Sequence, residues 1–306
     1  MIKNIKPKVS LGIPIYNESE FLEETLDSLL NQTYKEIEII AIDNNSTDKS
    51  FEILKKYSKK DKRLRIYQNK YNIGQSANFN LVFEKSEGEY FSWIGAHDKY
   101  EKNYVKKLLN KFDKNQNISV VFSNVLNIDK DGNYVNTEKN IGFELKNKSS
   151  LFRLLKLPWA IKGSGDIVMG MYKKELLKKT TLFSKGVMWP DVFLIHQISK
   201  LGKIIKEEEN LRIRRYFRDD EKNFKNWEEK YIKQTERYRS SAQIGISKLG
   251  LPLKLPVLFL SWKILLEMGI KKIYNPINLI VGFYLFINFS LKRKHAMWID
   301  LKRVFK

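Results

Sequence analysis

The first third of the chain alternates between two hydrophobic patterns. Val9 to Ile15 is a short apolar run, and Ile37 to Ile42, Leu64 to Tyr67 and Glu89 to Ile94 are three more. Runs of this length bounded by turn residues read as buried strands. Between them Phe21, Leu22, Thr25, Leu26, Leu29 and Leu30, and then Phe51, Ile53 and Leu54, recur at helical spacing. Tyr16-Asn17-Glu18-Ser19 breaks the first run and supplies a helix start. Asp43 to Asp48 ends the second, with Ser46 or Thr47 placed to cap the next helix. Asn72-Ile73-Gly74 reads as a turn before a helix that reaches about Lys85. Val120 to Ile128 and Asp166 to Tyr172 read as later strands, and Asp191 to Lys200 as a helix with Val192, Ile195, Ile198 and Leu201 on one face. Lys203 to Ile205 and Leu211 to Phe217 read as closing strands.

Strands separated by helical stretches predict an α/β fold, a mostly parallel sheet with helices on both faces. Ligands of such sheets bind outside the carboxyl ends of the strands. Asn17, Asp43, Asn44 and Asp98 all fall at those ends. Each of them is also an ordinary turn or cap residue type; their convergence is what points to a site.

The pattern changes towards the C-terminus. Glu221 to about Leu249 is a highly charged stretch read as a helical connector. Beyond Pro252, Leu255, Leu258, Phe259, Trp262 and Leu266 form an apolar stripe. Ile277 to Leu291 is nearly continuous apolar sequence, about fifteen residues where a spanning helix needs ~20. Lys292-Arg293-Lys294 follows it. Apolar faces flanked by cations and by Trp262 and Trp298 suit helices lying in a membrane interface, and equally a helical hairpin packed on protein.

Composition narrows the choice of partners. The 306 residues are 42 % hydrophobic and 13 % aromatic, which supports a real core and argues against global disorder. The absence of cysteine excludes disulfides and thiolate metal sites and fits a reducing compartment. The N-terminal residues Met1 to Lys8 lack the apolar core of a signal peptide, so a cytoplasmic catalytic part is expected. A net charge of +21 suits nucleic acid, an anionic membrane or a phosphorylated substrate, or reflects a lysine-rich background that keeps the protein soluble. No zinc-finger or basic-zipper spacing accompanies the charge, so nucleic acid is not the expected partner.

The strand-end residues suit a nucleotide diphosphate sugar. Pro14, Tyr16, Asp43 and Asn44 can form a flat slot with hydrogen-bond partners for a base. A leaving diphosphate needs charge compensation, which Mg²⁺ or Mn²⁺ on Asp98 would supply as a Lewis acid, with His97 as a borderline ligand. An acceptor hydroxyl needs a general base. The carboxylate at Asp191, just after Trp189-Pro190 at a helix start, is the candidate, although an acid there also serves as a plain helix-start residue.

At this point the chain resembles family 2 glycosyltransferases and their GT-A (Rossmann-like) fold. Val9 to Glu18 looks like the family's first strand and its Pro-x-Tyr-Asn-Glu end, and Asn31-Gln32-Thr33-Tyr34 like the end of its first helix. Ala41-Ile42-Asp43-Asn44-Asn45-Ser46-Thr47-Asp48 resembles its Val-Asp-Asp-Gly-Ser-Thr-Asp. Asn72-Ile73-Gly74, Asn80 and Gly88-Glu89-Tyr90 match the next motif, Trp93 to Asp98 stands at its acidic metal motif, and Trp189-Pro190-Asp191 at its base. The resemblance covers roughly residues 8 to 215. It implies an inverting transfer from a nucleotide-sugar, most simply a UDP-sugar, to a hydroxyl of a lipid-linked or surface glycan, with Asp191 as base.

Carried over residue by residue, the resemblance places the donor against Pro14, Tyr16, Asn17, Glu18, Asp43, Asn44, Gly74, Asn80, Ala96 and His97, with Mn²⁺ or Mg²⁺ on Asp98. It implies a catalytic domain over 1–217, then a connector and membrane-directed helices over 218–306, at the inner face of the cell membrane. Three positions depart from the pattern: Asn44 replaces an Asp, Phe79 an Arg, and Gly95 with His97 the other acids of the metal motif. A catalytically silent nucleotide-sugar or glycan-binding relative is the alternative those departures keep open.

Overall fold

The computed structural model describes residues 8–114, 117–135, 142–160, 165–184, 189–215, 264, 276–292 and 298. The front half repeats strand and helix: β1 (Val9–Ile15), α1 (Leu22–Leu30), β2 (Ile37–Asp43), α2 (Ser50–Lys60), β3 (Leu64–Gln68), α3 (Gln75–Glu84) and β4 (Tyr90–Trp93). There follow β5 (Lys99–Tyr100), α4 (Tyr104–Lys114), β6 (Ile118–Ile128), α5 (Ser150–Ala160), α6 (Gly165–Val168), β7 (Met171–Lys173), α7 (Lys174–Leu177), α8 (Pro190–Leu201) and β8 (Lys203–Arg215). The last described helix is α9 (Pro276–Lys292).

The strands form one eight-stranded sheet in the order β3-β2-β1-β4-β7-β6-β8-β5. β3, β2, β1 and β4 are mutually parallel, as are β6 and β8. β7 runs antiparallel to both β4 and β6, and the two-residue β5 antiparallel to β8. The α/β class and mixed, mostly parallel sheet expected from the sequence are present. Helices cover both faces, so a strand buries successive side chains in opposite cores and reads as a nearly continuous apolar run. In β2, Ile37, Ile39 and Ala41 pack with α1, α2 and α4, while Ile40 and Ile42 pack with α3, α5 and α8.

Two expectations are corrected. The Asp166 to Tyr172 stretch is a helical turn, α6, followed by the short strand β7; Ile167-Val168 is an apolar pair too short to reveal its period. Lys203 to Ile205 and Leu211 to Arg215 belong to a single strand, β8. Register shifts against β6 near Asn124 carry the exposed Glu208 and Glu209 without breaking the strand. α4 and α5 have no counterpart among the elements expected from the sequence. The connector over 221–249 and the stripe from 255 to 266, Ile264 apart, lie outside the described residues.

The middle region is tied to α8 through α5. Arg153 of α5 is buried and caps the C-terminus of α8, its Nε donating to the Ser199 carbonyl at 2.7 Å and its Nη2 to that of Lys200 at 3.1 Å. That satisfies carbonyls the helix itself leaves unpaired. α9 packs on the same α5: Val281 and Leu285 are buried in the core that holds Leu154 and Leu157, and the Tyr284 hydroxyl donates to the Leu155 carbonyl. Among the described residues no helix is long and apolar enough to cross a membrane.

Candidate active site

The carboxyl ends of β1, β2 and β4 meet in one set of loops. Asn17 takes the left-handed backbone conformation (φ 54°), which turns the chain out of β1. Its N–H donates to Ser46 Oγ and its Oδ1 accepts the Thr47 N–H, both at 2.9 Å, so the loops after β1 and β2 are sewn together. Asp43, at the end of β2, is fully buried. It accepts the Ser46 N–H and hydroxyl and the Gln68 amide. Asp48 accepts the N–H groups of Ser19 and Ser50 at 2.9 Å. Burial alone would raise its carboxyl pKa, but the bonds from Ser50 and Ser19 outweigh it and hold it below the usual carboxylate range.

A lattice of asparagines fixes the next wall. Asn44 is buried, donates to Asn72 Oδ1 at 2.8 Å, and accepts from Asn69 Nδ2 at 2.9 Å and the Ile73 N–H at 3.0 Å. Asn78 donates to the Ile42 carbonyl and accepts from Asn69. Asn44 thus braces two loops with a side chain that both donates and accepts; an aspartate at this position lacks the donor that reaches Asn72. Gly74 sits at φ 86°, a conformation that carries the turn into α3 and that side chains rarely adopt. Tyr16 is exposed and Pro14 half-buried beside this lattice.

Two expected donor contacts have structural partners. Asn80 exchanges hydrogen bonds with the Phe183 main chain, accepting at 3.0 Å and donating at 3.2 Å, which clips α3 to the loop after α7. Ala96 is buried, its carbonyl held by the Thr25 hydroxyl at 2.9 Å. Phe79 packs on the Phe183 ring, and its carbonyl accepts Trp93 Nε1 at 2.9 Å, so an aromatic clamp occupies a position where the resemblance implied an arginine.

The loop after β4 holds the principal departure from expectation. Asp98 is wholly buried. Its Oδ2 accepts Arg212 Nε at 2.8 Å and Nη2 at 2.7 Å, while Oδ1 accepts the Arg215 N–H at 3.2 Å. The carboxylate expected to stand open for a metal neutralises a guanidinium from β8. Gly95 makes this possible: a Cβ there would lie 2.5 Å from Asp98 Oδ2 and 3.0 Å from its Cγ. The carboxylate fills the space that any side chain at position 95 would need.

Gly95→Ala is therefore expected to destabilise the protein by about 1–3 kcal/mol, because the carboxylate cannot swing aside without leaving Arg212. An unchanged urea midpoint would show that the carboxylate is not so held.

Arg212 and Asp166, neither of them singled out from the sequence, complete a buried charge cluster. Asp166 Oδ1 lies 3.0 Å from Arg214 Nη1 and 3.6 Å from Arg212 Nη1. Burial would lower the Arg212 pKa, but the charges of Asp98, Tyr100 and Asp166 outweigh it and hold it above the ordinary value. The phenol of the buried Tyr100 is raised well above its usual range, by burial and then by Asp98. The available signal was Leu211-Arg212-Ile213-Arg214-Arg215, cations set into a strand, which demand buried partners.

His97 stands next to this cluster at the rim. Its Nδ1 lies 3.0 Å from Glu18 Oε2, which orients the ring and leaves Nε2 as the lone-pair nitrogen when Nδ1 carries the proton. Nε2 lies 3.9 Å from Asp98 Oδ1. An imidazole backed by a carboxylate is a ligand arrangement, and Oδ1 is the Asp98 oxygen turned away from Arg212. Among the described residues no group of three or more His, Cys, Asp or Glu side chains could hold an ion. The donor set fits a divalent cation only with a diphosphate completing its shell, as is common for Mg²⁺-type sites.

Asp191 opens α8 one residue after Pro190. Trp189 before it is left-handed (φ 58°, ψ 58°), an uncommon state for a bulky residue of the kind that collects at functional sites. Burial, then Tyr104 and the Asp191 charge, push the Tyr172 phenol well above its ordinary value. Tyr172 pairs with Phe91 of β4 and packs on Trp93, which puts it on the strand next to the one carrying the His97 loop.

Comparison with known proteins agrees with this architecture. GlyG, a glycosyltransferase of Streptococcus pneumoniae, is 30 % identical over 66 % of this chain and 69 % of its own length. A Campylobacter jejuni GalNAc(5)-diNAcBac-PP-undecaprenol β-1,3-glucosyltransferase is 26 % identical over 66 % of each chain. Other relatives are matched over less of their length, 36 % and 60 % for two uncharacterised Haemophilus influenzae glycosyltransferases. Among solved structures, S. aureus TarS 1–349 in complex with UDP-GlcNAc has a TM-score of 0.58 at 17 % identity, over 97 % of this chain and 89 % of that one. The Pyrobaculum calidifontis mannosyltransferase PcManGT, in complex with GDP-Man and Mn²⁺, has a TM-score of 0.53 at 15 % identity, over 95 % and 88 %. The sequence model of glycosyl transferase family 2 matches residues 10–180. With that match spanning more than half its length, the chain belongs to glycosyl transferase family 2.

Proposed function

We propose that this glycosyltransferase moves a sugar from a nucleoside diphosphate, a UDP-sugar in the simplest reading, to a hydroxyl of a lipid-linked or surface glycan, with inversion at the anomeric carbon. The observation that carries the reading is the meeting of the β1, β2 and β4 loops, which gathers Tyr16, Asn17, Glu18, Asp43, Asn44 and His97 at one sheet edge. The relatives supply the substrate classes: one solved neighbour holds UDP-GlcNAc, and the Campylobacter relative is named for an undecaprenol-linked acceptor.

In this reading the nucleoside lies along the Pro14–Tyr16 strand end and the asparagine lattice. Asp43 and Asn44 shape that wall through the bonds they already make, and Tyr16 offers its ring. Mn²⁺ or Mg²⁺ would be held by His97 at the rim and by the diphosphate itself, with Asp98 buried behind it on Arg212, and would supply Lewis-acid charge to the diphosphate. Arg212 fixes Asp98, Glu18 fixes His97, and Asp191 accepts the proton of the attacking hydroxyl as the sugar changes partners. Work at a membrane surface follows from a lipid-linked acceptor.

The test is thermal stabilisation with nucleotides. UDP with Mn²⁺ is expected to raise the midpoint, Mn²⁺ alone to leave it unchanged, and His97→Ala to remove the metal-dependent part while UDP still binds. Stabilisation by Mn²⁺ without nucleotide would contradict a shell completed by diphosphate. Failure of every nucleotide and nucleotide-sugar to stabilise the chain would contradict the donor site.

A further inference from the structure

Among its described side chains, helix α9 carries apolar residues on two faces. Its inward face carries Val281 and Leu285 into the core beside α5. Its other face leaves Ile280 (68 %), Phe283 (50 %), Ile287 (50 %) and Leu291 (58 %) exposed. These four recur at i, i+3, i+7 and i+11, a single stripe along the helix. A helix with one side buried and a second apolar stripe turned to solvent is built to be covered. α5, on which it packs, leaves Phe152 and Lys156 exposed as well.

The flanking charge says what covers it. No Lys, Arg, Asp or Glu occurs between Pro276 and Leu291, whereas Lys271 and Lys272 precede the helix, Lys292 ends it, and Arg293 and Lys294 follow it. Trp298, 60 % exposed, lies just beyond. A second copy would bring the same cations to both sides of the contact, in a chain already at +21. An anionic lipid surface offers the complement to both parts, acyl chains for the stripe and headgroups for the cations. At 17 residues the helix is about 26 Å long, shorter than the ~30 Å hydrocarbon core, so it lies along the surface.

We propose that the outward stripe of α9 is the surface by which this protein docks on an anionic bilayer, with the helix lying in the interface. The proposal rests on the transferase reading only in making a lipid-linked acceptor accessible to a docked enzyme; donor binding is measured separately and can fail on its own.

The experiment is sedimentation of the full chain with phosphatidylcholine vesicles with and without phosphatidylglycerol. The parent is expected to bind the anionic vesicles, and Phe283→Asn with Ile287→Asn to weaken that binding about tenfold or more, since two inserted side chains are lost. A cooperative thermal unfolding transition matching the parent's checks that the variant is folded. Ile280→Ser, at the most exposed position of the stripe, gives a second reading if the double variant does not fold. Binding unchanged in both variants overturns the proposal. So does equal binding to vesicles lacking phosphatidylglycerol, and so does a dimer that ignores vesicles and dissociates when the stripe is changed.

Discussion

Arg212→Met is expected to lower stability by about 3–5 kcal/mol, because it leaves the Asp98 carboxylate buried without its counter-charge. Asp98 is wholly buried and Arg212 nearly so, and two short bonds join them. The Arg215 N–H also donates to Asp98 Oδ1, and His97 Nε2 lies 3.9 Å from it, but neither replaces the guanidinium. Water cannot take the place of the guanidinium without opening the junction between the β4 loop and β8. The pair itself is a different matter, since a buried ion pair often contributes little net stability against apolar residues of similar size. Asp98→Leu combined with Arg212→Met should therefore recover part of the loss, a non-additivity typical of groups in contact. Urea denaturation of the two single variants and the double variant measures it. A single variant as stable as the parent, or a double variant worse than the sum of the singles, would show that the cluster is not organised as described.

Asp191→Asn is expected to reduce sugar transfer by about 10²–10⁴-fold while leaving nucleotide binding and the thermal midpoint nearly unchanged. The amide keeps the shape of the carboxylate but cannot accept the proton of an attacking hydroxyl. At the start of α8, whose N-cap is Trp189, the change costs only the interaction of one charge with the helix dipole, about 0.3–1 kcal/mol. The variant therefore separates the two roles an acid after Pro190 can play. A plain helix-start residue would leave activity unchanged; a base would lose it with little change in stability. Transfer measured with saturating donor, together with the UDP-dependent midpoint shift, distinguishes them. Retention of full activity would move the base elsewhere.

The front half of the fold was legible because its determinants are local. β1, β2 and β3 are mostly apolar runs closed by turn residues, and α1 and α2 keep helical spacing between them. The middle was less so. α5 carries a buried arginine whose partners lie on α8 and a proline in its last turn, and neither looks helical from its neighbours alone. β8 passes through a run of glutamates that reads as a break, and only its pairing with β6 keeps it one strand. The loops of the candidate site could be placed from the strand ends, but not their inward bonds. Arg212 lies 114 residues from Asp98 along the chain, so a motif read as an open acid closes on a partner invisible to any local window.

The packing of α9 against α5 bears on how the protein can be shortened. A chain cut at the end of β8 would keep the sheet and both candidate catalytic regions, yet it would strip Val281 and Leu285 from Leu154 and Leu157. The helix that caps α8 would then carry a newly bared oily flank. Such a fragment should be prone to clumping on expression unless the lost cover is replaced by detergent or by polar substitutions along that flank.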